Sequence, residues 1–335
     1  MNLYLIFSII FSLLVAFRGG TRDTQVYADT YYSINNFPWD PVKFYSDSGM
    51  EWAYGLFSWG LNSINIDVVV FFFLISYGTF YFIGKLSQIL SLSPFSVIPF
   101  YLGTFFLIQQ LMQIRQGFAV PLAYFLVFHW GFKKGREYLP ILFIPIMTIF
   151  HATAFLIPFT YLIYKFSNRL SLYFGRRLFL IIYLALSIVF SYYILNSSQF
   201  LTLEKIQIFL NSDEFSSERS IFDIVNIKSV VLLILALIAS SENLINNNKY
   251  YFLLVLFTTS LAVRIGFIDF SILSGRFGSA LGFSEIFIIP LLMQDFFRNK
   301  LYMYFFSYGY LLISTYITLN YQAPYLLDDY FTPLI

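Results

Sequence analysis

Arg18 and Arg22 stand with Asp23 and Tyr27 in the run F-R-G-G-T-R-D-T-Q-V-Y-A-D-T-Y-Y, residues 17–32. A guanidinium stays charged at physiological pH and meets phosphate oxygens two at a time. The two arginines could clamp a pyrophosphate. Asp23 could steady one of them or bind a sugar hydroxyl, and the amides of Gly19 and Gly20 could add oxyanion donors. An interfacial ion-pair cluster closing a helix is the plainer alternative.

Four further places carry groups of the same kind. Arg115 and Gln116 interrupt an apolar run from Pro94 to Trp130. A cation beside hydrocarbon is costly unless it faces a cavity or a partner. Arg264 and Arg276 bracket I-G-F-I-D-F-S-I-L-S-G and could close a phosphate site or pair with Asp269. Glu51, in M-E-W-A-Y-G-L, is eligible as a general base or sugar ligand, and its neighbours Trp52 and Tyr54 suit stacking on a sugar. His151, in F-H-A-T-A-F-L-I-P, is either a hydrogen-bonded packing residue or a direct participant. Asp23, Glu51 and His151 are thus the candidate proton-handling groups, with no choice among them. Glu285 reads as intramembrane, either protonated or paired, with Arg276 as a conceivable partner. Asp213, Glu214 and Glu218 read as a solvated loop face, and Asp328 and Asp329 as a solvated tail.

These groups need a scaffold that keeps them at one level, and the composition says which. Of 335 residues, 59% are hydrophobic and only 11% charged. Soluble domains carry roughly 25% charged residues. Mean hydropathy is +0.72. With 43 Phe and 27 Tyr, the chain suits lipid contact and aromatic interfaces. Apolar stretches capable of spanning or re-entering a bilayer fall at 3–17, 66–83, 95–113, 117–132, 139–150, 152–164, 178–195, 228–241, 250–263, 278–293 and 301–319. The first lacks a basic start and a small-residue cleavage site, so it is read as a retained span. The expected fold is all-α: one polytopic membrane domain over residues 1–335, with about 10–11 transmembrane or re-entrant helices. Larger outer segments are expected at about 18–65 and 196–227.

Lys and Arg in short loops set orientation. With Met1 inside, the inner loops hold Lys85, Lys133, Lys134, Arg136, Lys165, Arg169, Arg176, Arg177, Lys249, Arg298 and Lys300, against Glu137, Glu242 and Asp295. The alternation holds if 139–164 crosses twice, which puts His151 at an outer apex, level with Arg115. Arg18, Arg22, Arg115, Arg219, Arg264 and Arg276 are then outer cations that oppose the topology rule, so another partner must explain them.

The sequence also excludes several chemistries. It has no cysteine, hence no disulfide and no thiolate metal site, and its two histidines form no H-E-x-x-H pair. No phosphate loop, nucleophile elbow or dinucleotide fingerprint is present. No metal or cofactor is expected, and no nucleic-acid partner.

The stretch Arg18-Gly-Gly-Thr-Arg22-Asp23-Thr24 with Tyr27, followed by Glu51 before an apolar span, resembles the opening of EpsG/Wzy-type polysaccharide polymerases. Ile114-Arg115-Gln116-Gly117 with Ala119 resembles that family's mid-chain arginine motif. His151-Ala-Thr-Ala followed by Pro158 resembles its histidine motif, and G-R-F around Arg276 fits a late arginine. The resemblance runs in order over residues 15–285. It implies a GT-C-like multi-helix glycosyltransferase of the bacterial inner membrane, acting without metal on the periplasmic or outer face. Such an enzyme joins undecaprenyl-pyrophosphate-linked oligosaccharide units into O-antigen, capsule or exopolysaccharide. The growing chain leaves its lipid pyrophosphate for the non-reducing sugar of an incoming unit. Arg18, Arg22, Arg115, Arg264 and Arg276 would then bind pyrophosphate, and Tyr27, Trp52 and Gln116 sugar. Membrane lipid, a chain-length regulator and a flippase are the implied partners. The rival readings are a flippase for the same lipid-linked unit, an O-antigen ligase, a membrane acyltransferase and a non-catalytic assembly subunit. A flippase would be expected to show internal repeats and charges along the membrane midplane.

Overall fold

The computed structural model describes residues 2–195, 197, 220–297 and 299–333. Arg219, Asp213, Glu214, Glu218 and most of the segment 196–227 lie outside the described residues. In chain order the α-helices are α1 (Asn2–Ala16), α2 (Thr24–Tyr32), α3 (Pro41–Ser48), α4 (Trp52–Asn62), α5 (Val68–Ile89), α6 (Pro94–Tyr101), α7 (Ile114–Gly131), α8 (Leu139–Leu142), α9 (Ile144–Thr148), α10 (Leu156–Phe174) and α11 (Arg176–Leu195). There follow α12 (Ile224–Ala239), α13 (Glu242–Ile245), α14 (Asn248–Gly266), α15 (Ser271–Gly282), α16 (Glu285–Phe296), α17 (Lys300–Ile317) and α18 (Leu326–Phe331). No strand occurs among the described residues. Each apolar stretch expected from the sequence is built of helix, and the protein is an all-α, polytopic membrane protein.

Among the described residues three helices are long and apolar enough to cross a bilayer alone: Val68–Ile89, Arg176–Ile194 and Asn248–Gly266. The α15–α16 pair, bent by 41°, passes the same test as one broken span. Hydrocarbon-loving side chains face outward on several helices, for example Leu3, Ile6 and Ile10 on α1 and Leu186, Val189 and Phe190 on α11. In lipid every backbone polar group must find an internal partner, which is why helix is the form these stretches take.

The chain divides into two compact units, Met1–Phe155 with Lys300–Ile335, and Leu156–Asn299. In the first, α5 is packed between α1 and α7. The Tyr4 hydroxyl donates to the Phe80 carbonyl at 2.6 Å, and Phe7 and Phe11 meet the Phe80 ring edge-on. Residues 18–65 are not open loop: they fold into α2, α3, α4 and a short 3₁₀ turn, Ile34–Asn36. Asp40 and Asp67 accept from the first amides of α3 and α5, satisfying donors that a helix start leaves unpaired. Between α6 and α7 the chain runs as a π-helix, Leu102–Gln110, a form that recurs at functional sites. It brings the buried Gln109 and Gln110 to its end.

The second unit is built round α14, whose residues Tyr250–Phe257 are all buried. Asn247 caps it by accepting from the amides of Lys249 and Tyr250. Arg176 donates to the Ile245 carbonyl and to Asn168 and Asn248, holding the starts of α11 and α14 together. The buried Glu285 pairs with Lys228 at 2.8 Å. Lys228, on α12, is a partner that the reading of the sequence did not foresee.

Candidate active site

The first unit gathers five of the sequence-selected residues: Arg18, Tyr27, Glu51, Arg115 and His151. Each stands where a helix begins or ends. Glu51 precedes α4 and Arg115 lies in the first turn of α7. His151 sits in the break between α9 and the 3₁₀ turn Ala152–Phe155. The Ala53 amide donates to the Ile149 carbonyl at 2.9 Å, tying that break to the start of α4.

Glu51 is the hub. Its Oε2 forms an ion pair with Arg115. Its Oε1 accepts from the Ala152 amide at 3.4 Å and lies 3.9 Å from His151 Nε2. The carboxylate side chain is 13% exposed and the Arg115 side chain 20%, so the pair is sheltered yet reachable. On its other side Nδ1 of His151 accepts from the Thr153 amide at 3.3 Å and meets Thr153 Oγ1 at 2.8 Å. That use of Nδ1 puts the proton of the neutral ring on Nε2, facing Glu51. Arg115 also reaches the Gly49 carbonyl at 3.5 Å, while its buried Nε has no hydrogen-bond partner among the described residues.

Tyr27 stands between the two arginines. Its ring centre is 5.4 Å from the Arg115 guanidinium and 5.7 Å from that of Arg18. The buried Tyr54 hydroxyl donates to the Tyr27 carbonyl at 2.5 Å, and burial drives the Tyr54 pKa up. At 2% exposure Tyr27 supports the arginines rather than offering a face for sugar stacking.

Arg18 is also only 2% exposed. One nitrogen donates to the Gln110 carbonyl at 2.8 Å, and the guanidinium lies 3.9 Å from the centre of the Phe72 ring. The Thr21 hydroxyl donates to the next carbonyl, Leu111, at 2.5 Å. A helix end leaves its last carbonyls without partners, and a cation there is favourable. Arg18 and Thr21 thus cap the π-helix. Burial lowers the Arg18 pKa to about 10, partly offset by Tyr27, Tyr54 and Asp23, and the group stays charged at neutral pH. Its Nε and Nη2 have no hydrogen-bond partner among the described residues.

The amides of Gly19 and Gly20, offered by the sequence as oxyanion donors, are already used. They donate to the carbonyls of Tyr330 and Thr332, at 3.0 and 2.8 Å. A side chain on Gly19 would collide with both carbonyls, so glycine is needed there for close approach. Arg22 is exposed, and Asp23 is half-buried in a left-handed conformation at the start of α2. Trp52 is half-buried and donates to the Trp39 carbonyl at 3.3 Å. Gln116 is buried at 1% exposure. Gly117, next to it, lets α7 approach the Gln109 carbonyl at 2.6 Å from where a Cβ would stand. Arg264 and Arg276 belong to the second unit, where both are half-buried.

Beside Arg115 opens a small apolar recess of about 20 Å³, lined by Ala53, Tyr54, Phe57, Phe71, Phe118 and Phe150 among others. An apolar recess with one cation in its wall suits a ligand that joins hydrocarbon to negative charge. Sequence reasoning missed Gln109 and Gln110, and Tyr54, which it offered with Trp52 for sugar stacking, is buried. The adjacency of the two glutamines inside an apolar run was the available signal. Among the described residues no group of three or more His, Cys, Asp or Glu side chains is placed to hold a metal ion.

Residues 1–333 match the model of the EpsG family, and the chain belongs to that family of Wzy-like polysaccharide polymerases. No curated protein and no solved structure matches it significantly.

Proposed function

We propose that this EpsG-family chain polymerises undecaprenyl-pyrophosphate-linked oligosaccharide units on the outer face of the bacterial inner membrane. The growing polymer passes from its lipid pyrophosphate to the non-reducing sugar of an incoming unit, as in O-antigen, capsule or exopolysaccharide synthesis. The observation that carries this reading is the Arg115–Glu51–His151 cluster beside an apolar recess. Transfer from pyrophosphate needs a cation for the departing charge, a group to accept the hydroxyl proton, and apolar surface for hydrocarbon. Arg115 serves as the cation, Glu51 or His151 handles the proton, and the apolar surface beside Arg115 meets the lipid next to the phosphate. Arginine supplies the charge, so the reading requires no metal. Arg22 and Trp52 lie on the same outer segment as rim residues for phosphate and sugar. A flippase delivering the units and a chain-length regulator are the partners it entails.

The test is a polymer ladder. The gene is deleted in its host and complemented with wild type or Arg115→Ala, with membrane levels checked by immunoblot. The expected result is single repeat units for the deletion and for the well-expressed variant. Loss of all surface sugar, with units trapped on the inner leaflet, would instead identify a flippase. Unattached full-length polymer would identify a ligase.

A further inference from the structure

The arrangement around Glu51 contains a conflict. A carboxylate that accepts a proton during catalysis should be unengaged at that moment, yet Glu51 Oε2 is held by Arg115. Arg115 in turn is the sheltered but reachable cation beside the recess, and its Nε lacks a hydrogen-bond partner among the described residues. Each group blocks the other's role while they are paired. The two oxygens of Glu51 are held differently, however. Oε1 rests on the Ala152 amide and faces His151 Nε2, contacts that do not involve Arg115. If Arg115 leaves, Oε1 keeps the carboxylate in place and Oε2 alone is released.

We infer that Glu51 is the general base and that Arg115 restrains it until a pyrophosphate draws the guanidinium away. This rests on the polymerase reading and assigns the base within it. The donor's pyrophosphate, with one negative charge on each phosphate, competes with a single carboxylate for a bidentate cation, and it presents more oxygens to it. Once Arg115 turns to the pyrophosphate, Oε2 takes the proton from the acceptor hydroxyl. The hydroxyl oxygen forms a bond to the anomeric carbon of the growing chain. The bond from that carbon to the pyrophosphate oxygen breaks, and its electron pair leaves with undecaprenyl pyrophosphate, beside Arg115. The proton on Glu51 passes to water, and Arg115 returns when the lipid pyrophosphate departs. His151 is a positioning residue: its Nε2–H faces Oε1, and its Nδ1 is fixed by Thr153. An unloaded site therefore has no base with which to activate water.

The test uses the full-length protein in nanodiscs, with undecaprenyl pyrophosphate as probe and a polymerisation assay in parallel. Glu51→Gln removes the competitor for Arg115 without changing its shape. Binding of the probe should tighten about five- to tenfold. Polymerisation should fall about 10²- to 10⁴-fold. Glu51→Asp, which keeps the charge, should recover part of the activity and the weaker wild-type binding. Arg115→Ala should lose binding. Unchanged or weaker binding by Glu51→Gln, with a thermal transition like that of wild type, overturns the restraint. Retained polymerisation by that variant overturns the base. Failure of the wild type itself to bind the probe or to polymerise overturns the polymerase reading instead. If Glu51→Gln does not fold, Glu51→Asp decides: binding tighter than wild type, or activity equal to it, overturns the inference.

Discussion

Arg18 and Arg115 look alike in the sequence, each an arginine beside a long apolar stretch, yet the fold gives them different work. Arg18 caps carbonyls at the end of the π-helix and lies against Phe72, at 2% exposure. Arg115 holds a carboxylate beside a recess and keeps 20% of its side chain exposed. One cation shapes the site from within, while the other faces what enters it. Tyr27 lies within cation–π reach of both, so the two roles are in contact without being interchangeable. Residue type and proximity to a membrane span therefore identify a candidate phosphate ligand less well than what its donors already hold.

The contrast can be broken by separating activity from stability. The largest effect is expected from Arg115→Ala: polymerisation should fall about 10²- to 10³-fold, the scale of losing a donor to a developing anion. Its membrane level and thermal transition should stay near wild type. Arg18→Ala should act the other way, losing about 2–3 kcal/mol of stability as a charged hydrogen bond and a buried cation–π contact disappear. Thermal unfolding in detergent reads that loss, and activity per folded molecule should fall less than for Arg115→Ala. Equal activity losses without destabilisation would erase the distinction between the two arginines. Gly19→Ala tests the Arg18 side from the backbone. Its new methyl meets the carbonyls of Tyr330 and Thr332, and a cost of about 1–3 kcal/mol is expected, with faster proteolysis near the C-terminal end. The smallest effect is expected from Tyr54→Phe, which leaves the Tyr27 carbonyl without its donor and costs about 1 kcal/mol.

Much of this was legible in the residues. Apolar stretches of the right length became helices because lipid leaves the backbone few alternatives. Glu51, Arg115 and His151 could be picked out as polar groups in apolar surroundings, and the reading that put His151 level with Arg115 did not foresee that Glu51 joins them. The uses of backbone groups could not be read. Nothing near Gly19 and Gly20 says that their amides serve the carbonyls of Tyr330 and Thr332, because that pairing joins positions far apart in the chain. Lys228 as a partner of Glu285 was not foreseen for a related reason. Proximity in sequence favoured Arg276, and the packing of α12 against α16 delivers Lys228. The burial of Arg18 depends on a π-helical end at Gln110, which composition does not announce.

The contact between Gly19–Gly20 and Tyr330–Thr332 has a consequence for biogenesis. The ribosome emits the Arg18 segment long before the residues that receive its amides. While the rest of the chain is being inserted, those two amides must be held by water, lipid headgroups or the insertion machinery. The Arg18 segment therefore completes its hydrogen bonding only after the helix Leu326–Phe331 has emerged, so maturation of the site is a late event.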